Sequence, residues 1–414
     1  MSTPNFKRTK LACYTAYFTM SSIFSLPPIL FVTLRDMYGI SYTLLGTLVL
    51  TNFFTQLSID LIFTFFSKYF NVKKIVRVMP MITSLGLLLY ALSPTLFPNH
   101  VYFGLLLGTI VFSVSAGLSE VLLSPVIAAL PSDNPQRDMS ALHSLYAFGV
   151  CTVVIVSTLA LRLFGTQNWM YLTVFWAALP IIAAALFMLS PMPDMNTDAA
   201  TAGTGASRRK TVGLALCTAC IFLGSCAENT MSNWISGYME NALHLDKTLG
   251  DILGMAMFAI LLGIARISYA KFGKNIMRVL MVGMISAAIC YLTIGLTSST
   301  ILAFIACIFT GLVTSMLWPG TLIMMEENIP GVGVAAYALM ASGGDLGASV
   351  APQLMGIIID RVAVSDYAAH RAAALGITAE QVGMQTGMLV TSLFPIAGIV
   401  LLIFIVRFFR KNKA

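Results

Sequence analysis

The sequence has very little charge for its length. Of its 414 residues, only 10% are Asp, Glu, Lys or Arg, whereas 58% are hydrophobic and the mean hydropathy is +0.86. A soluble domain of this size could not keep so little charge on its surface, so a soluble fold is excluded. The composition predicts a polytopic α-helical membrane protein.

The sequence also lacks the motifs of several functional classes. The sequence has no glycine-rich phosphate loop with a lysine, which argues against ATP-driven transport by this chain alone. No His, Cys and Asp residues cluster at metal-ligand spacing, and Ser124 has no histidine at an obvious partner position. We therefore expect no enzyme activity, no metal site and no cofactor. The net charge of +7 is explained by basic residues beside a membrane and does not require nucleic acid.

The seven cysteines all fall within predicted membrane spans and are expected to be small packing residues. They are Cys13, Cys151, Cys217, Cys220, Cys226, Cys290 and Cys307. The Cys217–Cys220 spacing would suit a redox or metal pair, but the two stand alone in an apolar helix.

Twelve apolar segments are each long enough to cross a bilayer, which takes about 20 residues. We predict spans at residues 11–34, 43–66, 75–97, 101–130, 140–164, 169–190, 212–239, 250–270, 277–297, 300–325, 333–360 and 385–407. The first segment lacks the short apolar core and cleavage site of a secretory signal, so it is predicted to be a span. The polar loop at residues 361–384 is rich in alanine and is expected to be partly helical.

The basic residues predict the orientation, because cytoplasmic loops are enriched in Lys and Arg. With the N-terminus inside, most of the 24 Lys and Arg residues fall in cytoplasmic segments. The outside segments hold Arg35, Arg162, Lys247, Arg361 and Arg371. We therefore expect a multi-pass protein of the plasma or inner membrane with both termini in the cytoplasm.

Two segments resemble each other. Residues 117–125 have the sequence Gly-Leu-Ser-Glu-Val-Leu-Leu-Ser-Pro, and residues 311–319 have Gly-Leu-Val-Thr-Ser-Met-Leu-Trp-Pro. They lie in the fourth and tenth spans, which a parallel repeat of six spans would pair. The repeat predicts a half at residues 1–190, a basic cytoplasmic linker at residues 191–211 and a second half at residues 212–414.

Over essentially its whole length the chain resembles the major facilitator superfamily. Residues 68–74 lie where that family carries an acidic-arginine-glycine loop signature, although Lys68 and Asn71 replace the expected Asp and Gly; residues 263–274 are closer to the pattern. Trp318-Pro319 and residues 343–352 are most similar to the fucose-permease-like branch of sugar–proton symporters. The resemblance implies a monomer with two six-helix halves around a central cavity, lined by the first, fourth, seventh and tenth spans.

Polar residues inside apolar spans are costly and mark candidate sites. The resemblance and the helical spacing together suggest a set of substrate-binding candidates. These are Glu120, Glu228, Asn229, Ser232, Trp318, Tyr17, Asn52 and Gln56. Trp318 lies too deep for an interfacial aromatic belt, which favours stacking on a solute. For Ser232 a hydrogen bond to its own backbone or to a neighbouring helix is the preferred interpretation, whereas for Tyr17 a packing or interfacial role and a role in the site are equally open.

Three acids are candidates for ion coupling. Glu120, Glu228 and Asp345 fall near the middle of their spans, and no Lys or Arg is predicted at that depth. Burial without a cationic partner favours the protonated form, so such an acid could carry a proton; sodium coordination would use the same oxygens. Asp60 and Arg266 lie nearer the cytoplasmic ends of their spans and are predicted to act in gating.

The absence of a predicted basic residue at the cavity centre disfavours anionic solutes. A proton-coupled symporter for a neutral polar solute such as a sugar is the preferred prediction. A proton antiporter that exports hydrophobic or cationic compounds is the alternative, but residues 139–162 lack the proline of the usual Gly-Pro signature. A receptor would need a soluble output domain, which the short tails do not predict. The expected partners are a small solute, a coupling ion and the lipid bilayer.

Overall fold

The computed structural model describes residues 6–66, 69–133, 135–193, 208–329 and 334–410. All regular secondary structure within those ranges is helical. By length and composition, 11 of these helices could cross a membrane, and Phe148–Phe164 is a shorter apolar segment within the fifth predicted span. The prediction of an all-α membrane protein with twelve spans is confirmed. Lys68 and most of the predicted linker at residues 191–211 lie outside the described residues.

Most spans are single helices, whereas the eighth, tenth and twelfth consist of consecutive helical segments. The first six spans are Lys7–Tyr38, Tyr42–Phe66, Val72–Ala91, Val101–Ala128, Pro135–Phe164 and Trp169–Met188. The last six are Arg208–Asn241, Lys247–Leu249 with the π-helix Gly250–Ala256 and Met257–Phe272, Ile276–Leu296, Thr300–Thr314 with Pro319–Asn328, Val334–Ala363, and Ala379–Thr391 with Leu393–Arg410.

The chain divides into two compact units. The first unit is Met1–Tyr38 and Phe54–Ala199, and the second unit is Gly39–Phe53 and Ala200–Ala414. The second span therefore contributes its start to the second unit and its end to the first. The division predicted from the linker, at residues 190 and 212, stays a prediction.

The two units repeat one packing pattern. In the first unit, the third span packs against the fourth and sixth, and the first span packs against the fourth, fifth and sixth. In the second unit, the ninth span packs against the tenth and twelfth, and the seventh packs against the tenth, eleventh and twelfth. Each pair in one unit has its counterpart six spans later, so the predicted six-helix repeat is confirmed.

The loop after the eleventh span is partly helical, as expected. The helix Asp366–Leu375 starts at Ser365, whose side chain accepts a hydrogen bond from the Ala368 amide, and it ends at Gly376. Gly376 has a φ of 67°, a left-handed conformation that glycine adopts without strain. A capping box of Thr378 and Gln381 then starts the twelfth span.

All seven cysteines are free and lie in helices of the spans. Cys151 is partly exposed, and the other six are buried. Their surroundings are the packed interior of the helices, which agrees with a packing role.

The start of the second span is held by an acid from the eleventh. The Asp360 carboxylate accepts hydrogen bonds from the amides of Tyr42 (3.2 Å) and Thr43 (2.6 Å), which would otherwise lack helical partners. The Tyr42 hydroxyl donates to Glu380. This end of the second span is thereby fixed to the second unit.

We expect Asp360→Ala to lower the free energy of unfolding by about 1.5 kcal/mol, because two amides lose a charged acceptor. Thermal unfolding in detergent, followed by circular dichroism, would measure the change. Asp36→Ala is the matched control, since the Asp36 side chain is 63% exposed. Equal melting temperatures for the two variants would contradict the assignment.

Candidate functional site

In the first unit, the acids Asp60 and Glu120 lie together. One carboxyl oxygen of Asp60 is within 4.8 Å of one carboxyl oxygen of Glu120. Asp60 is buried and Glu120 is half-buried, and both lie in membrane spans. The buried Tyr17 lies close enough to Glu120 for an electrostatic interaction. The structure thus brings together two predicted acids, and a predicted tyrosine, from three spans.

A glycine explains how the two acids meet. A Cβ atom on Gly117 would lie 3.2 Å from the Gln56 Cα atom and 3.0 Å from the Ile59 Cβ atom, so the fourth span crosses the second at very short range. Asp60 follows Gln56 by one helical turn and Glu120 follows Gly117 by three residues, which puts both acids beside the crossing.

The similar segment in the second unit makes the same kind of crossing. A Cβ atom on Gly311, in the tenth span, would overlap the backbone of Phe258 in the eighth span. The shared glycine of residues 117–125 and 311–319 is therefore a packing feature. The acid is not shared, because Thr314 stands where the first segment has Glu120.

In the second unit, Glu228 has a basic partner. The Arg266 Nη2 atom lies 3.1 Å from Glu228 Oε1, and the two side chains are 40% and 15% exposed. The expectation that no Lys or Arg would reach Glu228 was wrong. Arg266 lies near the end of the eighth span, but its long side chain reaches Glu228 in the seventh.

The other oxygen of Glu228 is in a different position. Glu228 Oε2 is shielded from solvent and has no hydrogen-bond partner among the described residues. Buried polar atoms are normally hydrogen-bonded, so an acceptor of this kind marks a place where a proton or a donor group of a solute can bind.

The neighbouring amide and hydroxyl groups form a local network. Asn229 Nδ2 donates to Ser225 Oγ (3.1 Å), and Ser225 Oγ donates to the carbonyl of Gly344 in the eleventh span (2.6 Å). Ser232 Oγ donates to the Asn229 carbonyl at 3.3 Å. Asn229 and Ser232 therefore have structural partners beside Glu228, in addition to any contact with a solute.

Trp318 lies at the interruption of the tenth span and is partly exposed. Its indole packs against Gly344, where a Cβ atom would overlap the ring. Asp345 is buried and follows Gly344 directly in the eleventh span. In the second span, Asn52 is buried in the second unit and Gln56 in the first. The substrate, coupling and gating roles of all these residues stay predictions.

Among the described residues, sequence reasoning missed two buried acids: Asp138, which pairs with Lys10, and Asp251. Asp251 is fully buried in the second unit, accepts a hydrogen bond from Ser236 Oγ and lies 3.7 Å from Lys247 Nζ. Lys247 also lies 3.4 Å from Glu240. The spacing of four between Lys247 and Asp251 is typical of a helical ion pair and could have indicated this cluster.

Residues 12–352 match the family model of the Major Facilitator Superfamily. A search of curated protein sequences finds no match. The fold is similar to a bacterial homologue of the human lysosomal transporter Spinster, with a TM-score of 0.72, 14% identity, and coverage of 100% of this chain and 99% of that chain.

Two further solved structures are similar. A D-xylose–proton symporter has a TM-score of 0.73 and 14% identity, over 94% of this chain and 96% of that chain. The E. coli fucose–proton symporter FucP has a TM-score of 0.60 and 13% identity, over 97% of this chain and 99% of that chain. At these identities the likeness concerns the fold alone.

Proposed function

The chain belongs to the Major Facilitator Superfamily, and from this premise we propose that it is a proton-coupled secondary transporter for a neutral polar solute such as a sugar. It works by alternating access, and it uses an ion gradient without a bound cofactor. It lies in the plasma or inner membrane as a monomer with both termini in the cytoplasm, as the distribution of Lys and Arg supports.

The observation that carries this proposal is the acid pair of the first unit. Two negative charges within 4.8 Å of each other repel by at least about 3 kcal/mol at an effective dielectric constant of about 20. The pair therefore favours holding one proton or a small cation between its oxygens. A site that binds and releases one positive charge is what ion coupling requires.

The preference for a neutral solute rests on the second unit. Arg266 reaches the interior, but Glu228 balances its charge and the Ser315 carbonyl takes its Nε donor (2.9 Å). The pair has no net charge, so it gives an anion little attraction. Glu228 Oε2, a buried acceptor without a hydrogen-bond partner among the described residues, suits a hydroxyl group of a sugar, and the partly exposed Trp318 suits an apolar face of the sugar ring. The fold similarity to symporters of D-xylose and fucose supports the same class.

The test uses purified protein in lipid vesicles loaded with a pH-sensitive dye. D-xylose, L-fucose and uridine are first screened by the rise in melting temperature that a bound ligand produces. A stabilising solute, added outside without any imposed gradient, is expected to enter the vesicles and acidify their lumen.

Two outcomes would overturn the proposal. Entry of the solute without acidification would indicate a uniporter. Extrusion of a lipophilic cation, driven by an acidic lumen, with no response to the three neutral solutes, would favour the antiporter that exports hydrophobic or cationic compounds. Empty vesicles and vesicles with heat-denatured protein are the controls.

A further inference from the structure

The tenth span is interrupted inside the membrane. Its first helix is Thr300–Thr314 and its second begins at Pro319. In a continuous helix, the carbonyl of Ser315 would accept a hydrogen bond from the amide of residue 319, but proline has no N–H to donate. The sequence therefore leaves the Ser315 carbonyl without its helical donor, within an apolar span.

Arg266 supplies the missing donor. Its Nε atom donates to the Ser315 carbonyl at 2.9 Å, while its Nη2 atom donates to Glu228 Oε1 at 3.1 Å. One guanidinium group thus joins the seventh, eighth and tenth spans of the second unit. Because the guanidinium is planar and rigid, the two hydrogen bonds are fixed relative to each other.

The interrupted segment also carries Trp318. The indole rests on the backbone at Gly344, and Ser225 fixes the carbonyl of that glycine by a hydrogen bond of 2.6 Å. A change in the backbone at residues 315–318 would shift the indole across this surface. The conformation of the interruption therefore determines where a substrate-binding candidate lies.

We propose that Arg266 is a positioning residue that links the charge of Glu228 to the conformation of the interruption at residues 315–318. While Glu228 is ionised, it holds the guanidinium where Nε reaches the Ser315 carbonyl. When Glu228 takes up a proton, the charge attraction is lost, Arg266 can leave the carbonyl, and the interruption loosens. This role rests on the proposed function, because it makes Glu228 a second acid, besides the pair of the first unit, whose protonation acts on the transporter.

Hydrogen–deuterium exchange of the purified full-length chain tests this directly, without any solute. Glu228→Gln mimics the protonated acid, and Arg266→Lys keeps the positive charge but not the rigid pair of donors. Each variant is expected to raise the exchange rate of the amides within residues 316–321 (Pro319, which has none, excepted) about tenfold, as loss of a hydrogen bond to a charged group predicts.

A third variant makes the test specific to the carbonyl. Pro319→Ala restores the missing amide, so the Ser315 carbonyl no longer depends on Arg266. In the Pro319→Ala background, adding Arg266→Lys is expected to leave exchange at residues 316–321 unchanged. Arg278→Lys makes the same substitution at an exposed position and is the matched control.

Three results would decide against the proposal. Unchanged exchange at residues 316–321 in both Glu228→Gln and Arg266→Lys is the first. The second is that Arg266→Lys raises the exchange rate equally whether residue 319 is proline or alanine. Faster exchange across the whole second unit is the third, because it would indicate general loosening. If the exchange results hold but vesicles show no proton movement with any solute, the linkage stands and the proposed function fails.

Discussion

Vesicles that carry Glu120→Gln are expected to lose solute accumulation while they keep solute exchange. With the lumen one pH unit more alkaline than the outside, a symporter that moves one proton per solute can hold about a tenfold solute gradient, since one pH unit and a tenfold ratio both correspond to about 1.4 kcal/mol. Glutamine at position 120 cannot bind or release a proton. The accumulation ratio should therefore fall to about one.

Counterflow of labelled D-xylose, or of another solute that stabilises the protein, measures exchange without net proton movement and should persist. Asp60→Asn is expected to behave similarly, because its carboxyl lies within 4.8 Å of that of Glu120. Asp36→Asn removes an acid of the same unit that is 63% exposed and is the matched control. Tenfold accumulation by both Glu120→Gln and Asp60→Asn would exclude this pair as the proton site.

Replacement of Arg266 by leucine is expected to destabilise the fold by about 3 kcal/mol. This value is the lower end of the range for breaking a buried ion pair, because 40% of the Arg266 side chain is exposed. The loss arises because Glu228 and the Ser315 carbonyl remain in the interior without their donor. Denaturant unfolding in detergent micelles would measure the difference.

The double variant separates charge from packing. Adding Glu228→Leu to Arg266→Leu removes the uncompensated acid, so most of the lost stability should return. Arg278→Leu, at an exposed position, should have little effect. If Arg266→Leu and Arg278→Leu unfolded at the same denaturant concentration, the pair would not contribute to stability.

Apolar length was enough to predict the spans, and the likeness of residues 117–125 to residues 311–319 indicated the repeat. Each helix must satisfy its own backbone within the membrane, so hydropathy indicates where a span begins and ends. Pro319 removes one helical donor, but a proline alone did not predict the interruption at residues 315–318, because the first, third, sixth and eleventh spans continue through prolines. The matching glycines Gly117 and Gly311 were recognised from sequence, but only the structure identified both as close helix crossings.

The partners of individual acids could not be predicted in this way. Glu228 and Arg266 are 38 positions apart on different spans, and their meeting depends on how each helix is rotated about its axis. Hydropathy contains no information about that rotation. Arg266 was assigned to the cytoplasmic end of its span from its position in the sequence, which does not show how far the long side chain reaches; in the structure it reaches Glu228. Asp251 was missed for a related reason, since its partner Lys247 was counted as an outside residue.

The burial of the cysteines has a practical consequence. Six of the seven native thiols are buried and one, Cys151, is partly exposed. A water-soluble maleimide is therefore expected to react with few of the native cysteines of the folded chain. A cysteine introduced at an exposed position, such as Tyr69 or Tyr367, would therefore be labelled selectively after Cys151→Ser alone. Spin labels or fluorophores can be attached without rebuilding the interior, and heating would expose the native thiols only as the helices come apart.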